Sequence, residues 1–355
     1  MLISALGILK YIKRCRYKKN VKEGKVLNEK ISLVTGATGH IGYALLKELV
    51  DSGEKVRILI RKDSKQFDGI ECEKVYGDVT DLDALLKAFE GVDVVYHLAG
   101  IIDINADQED MIWSVNVGGT KNVVKACQEK GVRRLVYASS VDAFPPLPDN
   151  QLMTELDHFE VDILDGTYAK TKATATQFVL DEVKAGRLDA VVTHPGACIG
   201  PYDFKVSNVG EMVRMFINGM FPVTLSFGAY NFVDIRDVAH GMYMAAKQGG
   251  KGECYILCGE QISVGGFIKA TAKACGKKAP KIPLSYGVAK AVAPAAEVFY
   301  KVAKKTPLFT RYSIRKLVSN CNFSIEKARK ELDYNPMSVE QSVADMVQWI
   351  KENEK

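Results

Sequence analysis

The stretch DGTYAKTKATATQF, residues 165–178, sets Tyr168 and Lys172 four positions apart. On a helix that spacing puts both side chains on one face, so a phenol and an ammonium can meet one substrate as an acid and the charge that tunes it. The same spacing also arises by accident in any helix rich in Tyr and Lys. By itself it leaves both readings open.

A second group of residues suits phosphate. TGATGHIG, residues 35–42, carries Gly36, Gly39 and Gly42. Gly36 allows a tight turn, Gly39 lets the backbone approach a pyrophosphate, and Gly42 lets a helix pack on a strand. The N–H groups and dipole at the helix N-terminus then favour the anion. Three glycines alone mean little, but placed directly between a first strand and a first helix they predict dinucleotide binding. The end of the second strand selects the cofactor. NAD enzymes usually place an acid there for the ribose 2′-OH, whereas an Arg accommodates the NADP 2′-phosphate. Here RILIRKDS has Ile60 near the acid's place, followed by Arg61 and Lys62. NADP(H) is therefore the expected preference. NAD(H) stays admissible, since Arg61 can equally be an ordinary strand-end charge.

These groups need a frame, and the chain supplies one. KISLVTG, KVRILIR, EKVYGDV, VDVVYHLAG, RRLVYASS and DAVVTHPG read as short apolar strands. GYALLKELVDSG, DLDALLKAFEG, NVGGTKNVVKACQEKG and the Tyr-Lys stretch read as amphipathic helices between them. Such alternation predicts a parallel sheet covered on both faces. The expected fold is α/β, a Rossmann-type doubly wound parallel sheet over residues 29–199. A small C-terminal substrate-binding lobe should occupy 200–355, with 229–259 returning to the large sheet, and the active site should lie in the cleft between the two.

Composition bounds the function. With 47% hydrophobic and 26% charged residues over 355 positions, the chain reads as soluble and globular with a substantial core. Residues 1–30 hold nine Lys/Arg against two Glu, a net of +7, so the remainder carries −2 of the overall +5. A body without basic excess argues against nucleic acid as a partner. The eight cysteines are scattered. Cys254 and Cys258 bracket an apolar run that reads as a buried strand, and no metal site is expected. Free thiols suit a reducing cytoplasm. The opening MLISALGILKYIKRCRYKK is too short to span a bilayer and has its charges on the wrong side for a secretory signal. The basic extension 1–28 is expected to be either a disordered tail or a peripheral membrane anchor. A second apolar stretch, 286–305, is expected to be a lid helix over the pocket, with an interfacial anchor as the alternative.

Over residues 30–350 the chain resembles the extended short-chain dehydrogenase/reductases, the NAD(P)-dependent epimerase/dehydratase group. The motifs that carry the resemblance are the glycine loop, Asp78-Val79, His97-Leu98-Ala99-Gly100, NVGGT at 116–120, YASSVDAF at 137–144, Tyr168 with Lys172, PGACIGP at 195–201 and FVDIRDVA at 232–239. The resemblance implies that Tyr168 exchanges a proton with the substrate oxygen. Lys172 should lower the phenol's pKa from near 10 and bond the nicotinamide ribose. Ser140, placed by counting back from Phe144, should hold the substrate carbonyl. Cofactor contacts are implied at Thr38, His40, Ile41, Asp78, Val79, Leu98, Ala99, Gly100, Asn116, Tyr168, Lys172, Pro195, Gly196, Ala197 and Cys198, beside the three glycines, Arg61 and Lys62. His97 reads better as a structural residue. His194 stands where the family often has Arg, a place that touches the cofactor, though a contact from His is disfavoured. The methionines at 212, 215 and 220 read as core of a lobe that lines the pocket.

Sugar dehydratases of the group carry Thr-Asp-Glu where this chain has Ser140-Val141-Asp142, and its epimerases carry the strand-two acid that is missing here. The second strand and the C-terminal segment look more like the dihydroflavonol-reductase branch and its hydroxysteroid-dehydrogenase relatives. The reading is an NADP-dependent carbonyl reductase or alcohol dehydrogenase acting on a bulky, largely apolar small molecule. An NAD-dependent nucleotide-sugar epimerase is the alternative, and a non-catalytic NADP sensor is a third reading disfavoured by the intact Ser-Tyr-Lys set. By resemblance the protein should form a homodimer through two helices that include the Tyr-Lys helix.

Overall fold

The protein is described by a computed structural model covering residues 30–102, 108–148, 151–220, 223–303 and 310–354. The basic extension, and with it the anchor expected there, lies outside the described residues. Seven strands form the large sheet: β1 (Ile31–Thr35), β2 (Lys55–Ile60), β3 (Glu73–Tyr76), β4 (Val92–His97), β5 (Arg134–Ala138), β6 (Ala190–Pro195) and, much later in the chain, Cys254–Leu257. That last strand lies outside β6, giving the spatial order Cys254–Leu257, β6, β5, β4, β1, β2, β3, and every neighbouring pair is parallel. The chain leaves β1 on one side for β2 and β3, then crosses to β4 on the other. A doubly wound sheet opens its ligand crevice where the direction reverses, at the carboxyl ends of β1 and β4. Apart from the exposed edge strand β3, Val, Ile and Leu dominate these strands on both faces, as a sheet covered twice requires.

The helices of this half are α1 (His40–Asp51), α2 (Leu82–Ala88), α3 (Glu109–Trp113), α4 (Thr120–Lys130) and α5 (Thr167–Lys184). Between α3 and α4 the turn Ser114–Gly119 is π-helical. Such a bulge re-aims side chains and recurs at functional sites; this one carries Asn116.

The segment 229–259 departs in part from expectation. Cys254–Leu257 does return to the large sheet, but Ala229–Asp234 does not. With Ala197–Ile199 (β7) and Glu260–Ser263 it makes a separate three-stranded sheet. The cause sits at the end of β6. Pro195 has no N–H to extend the ladder, and at Gly196 a Cβ would come within 2.8 Å of both the Asn231 carbonyl oxygen and Cys258 Sγ. The chain is thereby pressed off the large sheet and onto the strand 229–234. In order, the remaining strands are β8 (Val223–Leu225), β9 (Ala229–Asp234), β10 (Cys254–Leu257), β11 (Glu260–Ser263) and β12 (Ile282–Leu284).

Residues 200–355 also hold α6 (Asn208–Ile217), α7 (Ile235–Gln248), α8 (Val264–Cys275), α9 (Tyr286–Ala303), α10 (Arg311–Leu317), α11 (Glu326–Leu332) and α12 (Val339–Asn353). Helix α7 buries Val238, Ala239, Met242, Ala245 and Ala246 in the core of the large sheet and packs beside α1. A second core, around Val213, Phe232, Phe267, Val343 and Met346, belongs to the C-terminal lobe. The helix expected as a lid, α9, buries Ala289 and Ala293 with Ile314, beside Phe227 and Leu284, and leaves Val288 and Val292 exposed. Among the described residues no helix is long and apolar enough to cross a membrane.

Candidate active site

The glycine loop occupies the turn from β1 to α1. Gly36 has φ +75°, and a Cβ there would lie 2.6 Å from the Ala99 backbone nitrogen. The turn therefore sits directly on the end of β4, where Thr35 Oγ1 accepts from the N–H groups of Leu98 and Ala99, both 3.2 Å. At Gly42 a Cβ would press to 2.2 Å from the Gly36 carbonyl oxygen, so α1 touches the turn backbone to backbone. A Cβ at Gly39 would meet only that same carbonyl, at 3.2 Å. Gly39 is also the N-cap of α1 with no side chain bonded across the helix end. The helix N-terminus thus keeps its N–H groups for a ligand on the side where Gly39 presents bare backbone, and the residues present fit a dinucleotide pyrophosphate.

Two elements bring the expected catalytic residues together. Ser139 and Ser140 follow β5 but differ in use. Ser139 Oγ lies 2.6 Å from Thr176 Oγ1, a buried structural contact. Ser140 Oγ accepts from the Asp142 N–H at 3.1 Å, and its hydroxyl bears on the Tyr168 phenol. Tyr168 and Lys172 stand one turn apart on α5, Tyr168 half-buried and Lys172 buried.

The expected effect of Lys172 on Tyr168 needs correction. Burial, reinforced by the Asp142 carboxylate, holds the phenol above its ordinary value, while the Ser140 hydroxyl pulls the other way. Lys172 Nζ donates instead to the Ala138 carbonyl, 2.7 Å away, and lies 5.1 Å from the centre of the Tyr137 ring. A buried ammonium needs an acceptor, and the carbonyl at the end of β5 provides it. Burial lowers Lys172 itself to about 8.

Asp142 pairs with Lys316 at 2.6 Å. Because the carboxylate raises the Tyr168 pKa, Asp142→Asn should lower it, and the freed Lys316 charge acts in the same sense. Alcohol oxidation needs the phenolate as base, so the rise of kcat/KM with pH should move to lower pH in the variant. An unmoved profile would remove Asp142 from the phenol's environment.

Asn116 acts as a clamp. Its Oδ1 accepts from the Ile101 N–H at 2.8 Å, and its Nδ2 donates to the Ile101 carbonyl and to Thr171 Oγ1 at 3.1 and 3.0 Å. It ties the end of β4 to α5 beside Lys172, and Gly100 lies against it. His97 is buried between Thr35 Oγ1 at 2.8 Å and Thr120 Oγ1 at 3.1 Å, its pKa lowered by burial to about 3. His194 Nδ1 donates to the Ser140 carbonyl at 3.1 Å, and its ring packs on Phe144 and Phe159. Burial lowers His194 to about 4. Both histidines are neutral and structural at ordinary pH, and His194 fixes the backbone that presents Ser140.

Val79 is buried against Gly119, and its carbonyl accepts from Asn122 Nδ2 at 3.1 Å. Asp78 Oδ1 caps the turn to Thr80, and Asp78 Oδ2 lies 3.9 Å from Arg61 Nη1. The Arg61 side chain is 77% exposed, and Lys62 beside it is exposed too. Ala197 and Cys198 lie in β7, where Cys198 Sγ is 3.5 Å from the Gly196 carbonyl. His40 and Ile41 open α1, and His40 Nε2 donates to the Pro201 carbonyl at 2.7 Å.

Beside Ser140 and Tyr168 lies a cavity of about 220 Å³. Val141, Asp142 and Ala169, their chain neighbours, form one wall. Phe144, Met153, Leu164 and Phe323 supply apolar surface, and the lobe also contributes Tyr230, Arg315, Lys316, Ser319, Asn320 and Cys321. The methionines 212, 215 and 220, expected in the lobe that lines the pocket, are not among the lining residues, nor is any described side chain of α9.

The family model for the NAD dependent epimerase/dehydratase family matches residues 32–258. The chain belongs to that family. Among the curated relatives of this extended short-chain dehydrogenase/reductase is sterol demethylase protein B of Methylococcus capsulatus, 34% identical over 90% of this chain and 98% of the relative. A putative dihydroflavonol 4-reductase of Synechocystis is 30% identical over 90% of this chain and 94% of the relative. The crystal structure of gox2253 superposes with a TM-score of 0.80 at 30% identity, covering 92% of this chain and 99% of that one. A nicotinamide dinucleotide is accordingly the cofactor class of this enzyme.

The sequence reading of this family member missed Asp142, Lys316 and Thr171 at the site. Asp142 sat in a quoted motif, so its neighbour Ser140 was a usable signal. Nothing local marked Lys316, which reaches the site from a helix 174 positions later in the chain.

Proposed function

We propose that this enzyme is an NADP-dependent oxidoreductase that reduces a ketone or aldehyde, or oxidises the alcohol, on a bulky and largely apolar small molecule. The observation that carries the reading is the Ser140 hydroxyl acting on the Tyr168 phenol beside a cavity whose apolar wall includes Phe144, Met153, Leu164 and Phe323. When bound, the nicotinamide supplies or takes the hydride. Tyr168 passes its hydroxyl proton to the substrate oxygen in reduction and takes one back in oxidation, while Ser140 orients that oxygen by a hydrogen bond. The ordered backbone at Ser140, held by His194 and the Asp142 turn, keeps the pair in place. The cavity receives the reacting end of a large molecule, and the names of the sterol and flavonol relatives support an apolar one.

The test is a panel of steroid, flavonoid, aliphatic and sugar carbonyl compounds, with NADPH oxidation as the readout. Turnover confined to nucleotide sugars, with NAD retained through purification, would replace the proposal by the epimerase reading.

Arg61 supports NADP, since its exposed guanidinium, paired only loosely with Asp78, can turn to a 2′-phosphate that NADH lacks. Charge-assisted hydrogen bonds are worth about 1.5–3 kcal/mol, so NADPH should bind roughly tenfold or more tightly than NADH. Arg61→Ala should erase most of that gap. Equal affinities in the unaltered enzyme would show that the strand end does not select NADP.

A further inference from the structure

The segment that follows β7 does something no glycine motif announces. Residues 201–207 leave the C-terminal lobe and lie across the start of α1. Pro201 offers its carbonyl to His40, and Lys205 Nζ donates to Thr38 Oγ1 at 2.9 Å, inside the glycine loop. Rings hold this strap down: Tyr43 lies 5.1 Å from Tyr202 and 4.9 Å from Phe204, and Phe204 lies 5.1 Å from Trp349. Asp203 is buried and accepts from the Ser207 N–H and from Arg214 Nη1, both at 2.9 Å. Arg214 is itself paired with Glu354.

Two residues of the strap adopt left-handed backbone, Tyr202 at φ +72° and Val206 at φ +41°. A β-branched residue takes that conformation only where the surroundings enforce it. The strap is thus built to one shape, and that shape sets Lys205 on Thr38 in the loop that follows β1. Strand β1 pairs with β2, Thr35 beside Leu59, so Arg61 and Lys62 leave β2 at the same edge of the sheet. Partial dehydration and then the charges of those two cations depress the Lys205 ammonium below its ordinary value. Lys205 on the loop and Arg61 and Lys62 at the neighbouring strand end set three cations around a phosphate-binding loop, and among the described residues the one acid paired with any of them is Asp78, 3.9 Å from Arg61.

We propose that Lys205 is a third cation for the adenosine 2′-phosphate, carried by the strap 201–207 to Arg61 and Lys62, so that the C-terminal lobe helps distinguish NADP from NAD. This rests on the NADP preference proposed above. An anion placed among the three would relieve their mutual repulsion and bring charge-assisted hydrogen bonds. A ribose bearing a 2′-hydroxyl instead would leave the repulsion in place.

The test is equilibrium binding of NADPH and of NADH, followed by cofactor fluorescence on the full chain without substrate. Lys205→Met should weaken NADPH about tenfold and change NADH by less than about twofold, while Lys205→Arg should keep most of the affinity. Adenosine 2′,5′-bisphosphate, set against AMP as competitors, should show the same selective loss. Equal weakening of NADPH and NADH would put Lys205 at the pyrophosphate, or only in the loop's structure, and overturn the proposal. A wild-type preference for NADPH that Lys205→Met leaves intact would overturn it while sparing the NADP reading. Absence of any preference in the wild type would overturn both.

Discussion

Tyr168→Phe is expected to cut turnover by about 10²–10⁴ while leaving the fold and cofactor affinity unchanged, the scale of a lost general acid or base. The substitution removes one oxygen. The half-buried ring keeps its packing on α5, and Ser140 keeps the Asp142 N–H as a partner. What disappears is the hydroxyl proposed to exchange a proton with the substrate oxygen. The structure sharpens the expectation. Burial and Asp142 keep the phenol protonated in this state, which suits proton donation in the reductive direction. Oxidation needs the phenolate, so it should be the more pH-sensitive direction and gain steadily as pH rises. Steady-state rates in both directions, with cofactor binding measured separately, decide the matter. Activity within about threefold of the unaltered enzyme would remove Tyr168 from the mechanism.

How much of this was readable in the chain depends on the range of the interaction. The six strands from Ile31 to Pro195 and the helices between them are periodic and local, and they stand where the pattern put them. The last strand of the large sheet was also legible, because CYIL is a continuous apolar run of the kind a doubly covered sheet demands. Residues 229–234 look no different in sequence, yet they pair with β7. What diverts them is a close approach at Gly196, a contact with Asn231 and Cys258 that no local pattern encodes.

The site divides in the same way. Tyr168, Lys172 and Ser140 belong to motifs read in order. The direction of the Tyr168 shift was misjudged, because spacing on a helix fixes which face a lysine shares but not which acceptor it finds. Lys172 found the Ala138 carbonyl, and Asp142, two residues past Ser140, became the stronger influence. Lys205 and Lys316 act on groups 167 and 174 positions away, distances at which a single sequence is silent.

The glycine loop offers the second large effect, and it separates glycines that serve the fold from the one that serves the ligand. Gly42→Ala is expected to destabilise the protein by about 3 kcal/mol, the upper end of ordinary overpacking, and to weaken cofactor binding about 10²-fold. Its Cβ would sit 2.2 Å from the Gly36 carbonyl oxygen. Both partners are backbone, so no side chain can swing aside and α1 must shift by roughly 1 Å, a displacement that can cost about a hundredfold in a positioned site. Gly39→Ala should behave differently. Its Cβ meets the same carbonyl at 3.2 Å, a contact relieved by a few tenths of an ångström, so thermal stability should change little. Cofactor affinity should still fall, because the methyl group points to where bare backbone meets the pyrophosphate. Gly131→Ala serves as the reference. It sits at φ +64° after α4 with no atom within 4 Å of the new Cβ, so about 1 kcal/mol is expected from backbone strain alone, with no effect on the cofactor. Melting temperatures and NADPH affinities of the three variants test the division. Should Gly42→Ala melt and bind like Gly131→Ala, the turn is not the rigid contact that its geometry describes. Should Gly39→Ala bind NADPH normally, the pyrophosphate does not lie against that face of the loop.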